Sequence, residues 1–160
     1  MRLVRQARLR GRNRGVMADS NSPLVRGESG RFDLRALAAE LPEEAETMLV
    51  DIRITDEPAA SSRLFRAYTP VPAHFHKTCD EYLVVVSGRA KFVVGSEAPA
   101  ELGPGQMQFF RRGVVHGFPE ILEHPLVIFA VDTPRRDPSD VTFVDAGAGT
   151  AETFIRAYSA

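Results

Sequence analysis

Hydrophobic and polar positions alternate with two different periods along the chain. In residues 31–44, RFDLRALAAELPEE, leucines recur at helical spacing after Asp33, a residue type suited to a helix N-cap. Pro42 follows them and cannot continue a helix. We therefore expect one short helix in this segment.

After the helix the period becomes two. In MLVDIRIT, Leu49 and Asp51 alternate with Val50, Ile52 and Ile54, as in a strand with two different faces. Six further strand-like runs follow, with glycine and proline at nearly every joint: SRLFRAY, EYLVVVSG, AKFVVG, GQMQFFRR, LVIFAVD and VTFVD. Seven short strands with almost no helix between them predict an antiparallel sandwich or barrel rather than alternating βαβ units.

The composition narrows the class of partner. A chain of 160 residues with 44% hydrophobic and 26% charged residues is typical of one globular domain. The net charge is −1 with both signs interspersed, and no apolar run is long enough to span a bilayer. We expect a small-molecule partner, with no nucleic acid and no membrane. The single cysteine, Cys79, fits a reducing compartment and a cytoplasmic location.

The N-terminus departs from this neutrality. Residues 1–16 hold six arginines and no acidic residue. A transit peptide and a nucleic-acid-binding arm are alternatives, although a transit peptide would also be expected to contain serines. We interpret residues 1–30 as a disordered basic leader, with a start at Met17 as one explanation, and residues 31–160 as a single barrel domain.

Two of the four histidines lie one residue apart in the stretch PVPAHFHKTCDEYLVVVSG, residues 70–88. Side chains two apart on a strand point to the same face, about 6 to 7 Å apart at their origins, so His74 and His76 can converge on one cation. A turn after His76 would let Glu81 bring a carboxylate to the same point. His116, at the end of GQMQFFRRGVVH, is the candidate ligand from elsewhere in the sheet.

These residues occupy two spaced motifs, HxHxxxxExxxxxxG and Gxxxxx(P)xGxxH: His74, His76, Glu81 and Gly88 in the first, and Gly105, Gly113 and His116 in the second. Through them the chain resembles the cupin superfamily, and in particular its small single-domain, type-2 members. The resemblance implies an all-β antiparallel double-stranded β-helix, a jelly-roll barrel, beside the short N-terminal helix. Arg111 stands where the second motif usually has proline, and Glu120 where asparagine often follows the last histidine.

The resemblance also implies one divalent transition metal per chain, bound by His74, His76, Glu81 and His116. Such ligands suit iron, manganese, nickel, cobalt, copper or zinc and leave one or two coordination positions open. Small cupins with this ligand set suggest a metal-dependent dioxygenase acting on a small organic molecule. An isomerase or decarboxylase is an alternative, and a non-catalytic metal-organised ligand-binding module or sensor is the rival.

The sequence gives weaker support for the candidate substrate contacts, which are Arg66, Tyr68, Gln106, Gln108 and Phe118. Arg66 and Tyr68 could clamp a carboxylate, although an arginine here is also suited to the surface. Gln106 and Gln108 share a strand face with Phe110, and either this face or the opposite one looks inward. Phe118, two residues past His116, is expected in the barrel wall.

Three remaining expectations concern the surroundings of the site. Cys79 is expected to be a buried or loop thiol rather than a fifth ligand, and His124 to lie on the surface. The cupin resemblance suggests a homodimer through barrel edges, with the strand at residues 48–55 as the candidate edge.

Overall fold

The computed structural model describes residues 28–158. The predicted leader therefore lies almost wholly outside the described residues. Helix α1 spans Leu34–Glu40, and Asp33 is its N-cap, with Oδ1 accepting hydrogen bonds from the backbone N–H groups of Arg35 and Ala36. The expected helix and its cap are confirmed. No helix within the described residues is long and apolar enough to cross a membrane.

Nine strands form the rest of the domain: β1 Leu49–Glu57, β2 Ala60–Ala67, β3 Val71–Phe75, β4 Asp80–Val94, β5 Ala100–Leu102, β6 Met107–Phe110, β7 His116–Thr133, β8 Thr142–Phe143 and β9 Ile155–Ala157. A short helix, α2 Ala151–Phe154, precedes β9. The sheet order is β5-β4-β7-β2-β1-β9, with β3 pairing β7 and β8, and β6 pairing β4. The pairings are antiparallel except that of β1 with β9.

Two predicted runs, EYLVVVSG and AKFVVG, belong to the single strand β4, whose register with β7 shifts on both sides of Ser87, next to Gly88. The residue has φ of 75°, and a Cβ there would lie 2.5 Å from the carbonyl oxygen of Glu123 and 2.6 Å from that of Pro125. Glycine thus lets the backbone of β4 approach that of β7 closely, while the two strands stay paired on both sides of the register shift.

Alternation along the strands separates two hydrophobic layers. The barrel interior contains Leu49, Phe65, Leu83 and Phe92, whereas the outer layer packs α1 against the opposite face of β1 and β2. In that outer layer Leu37, Leu41, Val50, Ile52 and Leu64 are buried. The helix therefore covers the outside of the sheet and leaves the interior to the site.

The strand proposed as a free edge is paired on both sides over its first three residues only. Residues Leu49–Asp51 of β1 pair in parallel with Ile155–Ala157 of β9, while the other edge of β1 pairs with β2. The candidate edge at residues 48–55 is thus covered in part, by a three-residue strand from the C-terminal segment. The homodimer itself stays a prediction.

Candidate metal centre

Three strands bring the predicted ligands together. His74 on β3 lies opposite His116, the first residue of β7, and His76 follows the end of β3. Glu81 is the second residue of β4. Its side chain points inward, on the same strand face as buried Leu83, whereas its neighbours Asp80 and Tyr82 lie on the other face. All four side chains are buried, with 2 to 3% of each residue exposed.

The three imidazoles form a compact cluster. One ring nitrogen from each of His74, His76 and His116 lies within 4.8 Å of the others, a spacing that allows one metal ion to be shared. The ring centroids of His74 and His116 are 4.4 Å apart, and His76 lies 5.2 and 5.1 Å from them. The three histidines that the sequence analysis proposed therefore cluster as expected; that they bind a metal ion stays a prediction.

Backbone carbonyls orient each ring. His74 Nδ1–H donates to the Pro72 carbonyl at 2.8 Å and His116 Nδ1–H to the Val114 carbonyl at 2.9 Å. His76 Nδ1–H donates to the carbonyl of Asp140. A proton held on Nδ1 leaves Nε2 with its lone pair, which is the form that binds metal.

Two of the remaining ring nitrogens make no hydrogen bond, although the Glu81 carboxylate lies beside them. Nε2 of His76 and Nε2 of His116 are buried and make no hydrogen bond with any described residue. Burial, reinforced by the two neighbouring imidazoles, also holds the pKa of His74 well below its usual value, which favours the neutral ring. Buried polar atoms are rarely left unsatisfied, so these donors fit a bound metal ion.

Glu81 contacts the cluster through one carboxylate oxygen. Its Oε2 lies 3.3 Å from His116 Nε2 and 3.5 Å from His76 Nε2, while Oε1 accepts a hydrogen bond of 2.5 Å from Arg63 Nη2. Burial raises the pKa of Glu81, but the two imidazoles and the Arg63 guanidinium outweigh it and lower the pKa well below its usual value. Glu81 is not part of the three-histidine group, but its Oε2 lies beside two of the three ring nitrogens; its role as a fourth ligand stays a prediction.

A buried ionic cluster lies behind Glu81, and sequence reasoning missed it. Arg63 Nε donates to Asp132 Oδ2 at 3.1 Å, and Arg136 Nε is 3.7 Å from Asp132 Oδ1. Arg63 and Arg136 are only 2 and 1% exposed. The parity of β2 could have revealed Arg63, because it shares a face with buried Phe65, whereas Arg136 lies in a segment, TPRRDPSD, that reads as an exposed loop.

The predicted substrate contacts separate into different parts of the fold. Arg66 Nη1 and Tyr68 Oη both donate to the Pro42 carbonyl, at 3.0 and 2.6 Å, so the two side chains hold the end of the α1 segment against the outer face of the sheet. Gln106 is exposed and its Oε1 accepts from the Gly103 N–H. Gln108 is half-buried opposite Leu83.

The strand face that carries Gln106, Gln108 and Phe110 is the inward-facing one. Of these three residues, only Phe110 is buried. Met107 and Phe109 on the opposite face are 56 and 38% exposed, whereas Phe110 is buried and its ring stacks on His116 with 4.0 Å between centroids. Phe118 is buried in the barrel wall, as its spacing from His116 predicted.

A small cavity adjoins the cluster. It admits the centre of a water-sized sphere over about 10 Å³, which is room for about one water molecule. Its polar lining comes from Arg63, His74, Glu81 and His116, and its apolar lining includes aromatic rings: Phe65, Phe92, Phe110, Phe118 and Phe154. A polar group inside would meet the ligands on one side and an apolar wall on the other.

Two rings from the C-terminal segment close the site on the side of His74. The centroid of Phe154 is 5.0 Å from that of His74, and the centroid of Phe143 is 5.7 Å from it. Neither ring was singled out from the sequence, because single phenylalanines distant from the motifs give no indication of where they pack.

Cys79 and His124 are not part of the three-histidine cluster. Cys79 is buried, its Sγ is 4.0 Å from Asp140 Oδ2, and burial raises the pKa of its thiol to about 12. It therefore stays a thiol at neutral pH and is not part of the three-histidine group. His124 is exposed on β7, as expected.

A barrel with an inward-facing histidine cluster on these motifs is the arrangement that the cupin resemblance implies. The family model described as "Cupin domain" matches residues 67–132, and solved double-stranded β-helix structures align with the chain. The segment that carries the candidate ligands thus matches the cupin domain family. No curated protein sequence matches it significantly.

Solved structures with this fold come from several bacteria. A conserved double-stranded β-helix protein of Klebsiella pneumoniae subsp. pneumoniae MGH 78578 is 19% identical and aligns over 68% of this chain and 93% of its own, with a TM-score of 0.56. A protein of Thermus thermophilus is 25% identical over 66% and 98%, also with a TM-score of 0.56. KdgF from Halomonas sp. is 21% identical over 59% and 88%, with a TM-score of 0.53. These similarities establish the shared fold.

Proposed function

We propose that this cupin is a mononuclear metal-dependent enzyme that acts on a small organic molecule, with dioxygenase chemistry as the leading reaction. The observation that carries the proposal is the buried histidine cluster. One ring nitrogen of each imidazole lies within 4.8 Å of the others, and the Nδ1–H groups donate to backbone carbonyls. His74, His76 and His116 would hold the metal, and Glu81 Oε2 would complete the set.

The histidines supply neutral donors and Glu81 supplies a carboxylate, a combination that suits a borderline divalent metal. When bound, such a metal polarises a ligand oxygen and, if it is redox-active, supports dioxygen chemistry. The surrounding phenylalanines exclude bulk water, because the cavity is lined mainly by apolar side chains. Structural zinc sites usually close their coordination with cysteine, so a purely structural metal has less support here.

Oxygen consumption tests the reaction directly. Protein purified without added metal is reconstituted separately with iron(II), copper(II) and zinc(II), and oxygen uptake is measured against catechols, flavonols and enediols. We expect substrate-dependent uptake with a redox-active metal, no uptake with zinc, and loss of uptake in His116→Ala. Turnover that consumes no oxygen would instead support the isomerase or decarboxylase alternative.

The enclosed site favours a second candidate, a metal-organised binding module or sensor. The three histidines are only 2 to 3% exposed and the adjoining space admits about one water molecule. A site so closed is also compatible with holding a ligand without converting it. Tight binding of a small ligand with no turnover of any substrate under the same conditions would move the assignment to this class.

A further inference from the structure

One nitrogen of the buried Arg63 guanidinium has no hydrogen-bond partner among the described residues. Nη2 donates to Glu81 and Nε to Asp132, but Nη1 is buried and has no hydrogen-bond partner among the described residues. A buried charged donor that nothing accepts from is destabilising, so an acceptor at this place would stabilise the protein. Arg63 also lines the cavity together with His74, Glu81 and His116.

The formal charges around the cavity sum to a net positive charge once a divalent metal is present. Arg63 and Arg136 balance Glu81 and Asp132, so a divalent ion at the histidines would leave a formal charge of +2. Asp51 is the remaining buried carboxylate near Arg63, and even fully ionised it would reduce this sum only to +1. An isolated positive charge in an apolar interior is unfavourable unless an anion accompanies it.

Resting on the proposed metal site, we propose that Arg63 Nη1 and the metal together form a subsite for a small carboxylate. Nη1 donates to one oxygen of the ligand, and the ligand's negative charge offsets the excess at the centre. Arg63 is thereby assigned a second role: besides fixing Oε1 of Glu81, it selects anionic over neutral ligands. The cavity admits only a small group, so formate is the carboxylate that fits with least displacement of the aromatic wall.

The specificity of this subsite is measured on the cobalt(II)-loaded protein, by following visible absorption as formate or its neutral counterpart formamide is added. Wild type is expected to bind formate at least about tenfold more tightly than formamide, since a hydrogen bond from a guanidinium to an ionised acceptor is stronger than one to a neutral acceptor. Arg63→Lys keeps the charge but not the forked guanidinium, and is expected to lose about tenfold or more in formate affinity. Arg89→Lys, an exposed arginine on β4, is the matched control and should bind like wild type.

Metal content is determined in each variant, so the two proposals fail separately. Wild type that binds no metal contradicts the proposed function. Wild type that binds metal but takes formate no better than formamide, or Arg63→Lys with unchanged formate affinity, overturns the subsite and leaves the metal centre intact.

If Arg63→Lys does not fold, the wild-type protein decides. In zinc-loaded, ¹⁵N-labelled protein, buried arginine Nε–H resonances report on the guanidinium environment. Formate is expected to shift one of them while formamide does not. Absence of a formate-induced shift overturns the proposal.

Discussion

At the scale of single residues, the metal centre depends on groups that no motif describes. The motif residues are the histidines and Glu81, but their Nδ1–H acceptors are backbone carbonyls of Pro72, Val114 and Asp140. Any residue type supplies a carbonyl, so the sequence could not reveal this orientation. What it did reveal, the set of candidate ligands, came from the His74 and His76 pair and from the two motifs that resemble those of cupins.

The buried ionic cluster leads to a prediction about Asp132. Asp132→Asn removes the carboxylate that pairs with both Arg63 and Arg136, so the unfolding free energy is expected to fall by about 3–5 kcal/mol, as when one partner of a buried ion pair is removed. Urea denaturation at neutral pH measures it.

Glu120→Gln is the matched control for this change. Glu120 pairs with Lys91 on the surface, with both side chains about half exposed. Removing such a pair is expected to change the unfolding free energy little, because solvent screens the two charges. Equal losses in the two variants would show that the Asp132 cluster contributes no more than a surface pair.

At the scale of elements, most strands were predictable from their alternation, including short β6 and β8, whereas β5 and β9 were not. β1, β2, β4 and β7 contain enough alternating positions to show their period, whereas β5 and β9 have three residues each. Whether a three-residue segment pairs depends on which distant strand reaches it, and β9 pairs with β1 across about a hundred residues. Local sequence carries no information about that partner.

The β1–β2 hairpin is tied to the segment after β7 by Asp56. Partial burial opposes ionisation, but hydrogen bonds from Arg135 and Arg53 outweigh it and lower the pKa of Asp56 from 3.8 to about 2. A lowered folded-state pKa contributes stability above pH 3.8 that is lost as the pH falls toward 2.

The measurement compares wild type with Asp56→Asn in urea denaturation from pH 6 to pH 2. Because the pairs are partly exposed and screened by solvent, the wild-type advantage is expected to be no more than about 1 kcal/mol at pH 6. It should shrink steadily below pH 4 and approach zero near pH 2. A difference that stays constant over this range would contradict the assignment of the low pKa to Asp56.

At the scale of the whole molecule, the site is built by the matched barrel and completed by segments outside it. The family model covers residues 67–132, whereas Arg63, Phe143 and Phe154 lie beyond its ends and all contact or approach the centre. The common fold thus supplies the histidines, and the flanking segments of this chain determine the charge and closure around them.

Phe154 tests the closure. Phe154→Ala removes a buried ring that packs on His74, so it is expected to lower stability by about 3–5 kcal/mol and to speed metal release to a chelator. Stopped-flow release from the cobalt-loaded protein measures the rate. Phe109→Ala, on an exposed position of β6, is expected to change neither quantity by much. Unchanged release from Phe154→Ala would mean that the C-terminal segment does not limit access.

The central claim is that three histidines hold one metal ion, and metal analysis of matched variants tests it most directly. Wild type reconstituted with a divalent transition metal and freed of excess is expected to contain one ion per chain by mass spectrometry. His116→Ala should lose it, and His124→Ala, which changes the one exposed histidine of the described residues, should retain it. Metal retained at full stoichiometry in His116→Ala, or lost from His124→Ala, would contradict the account.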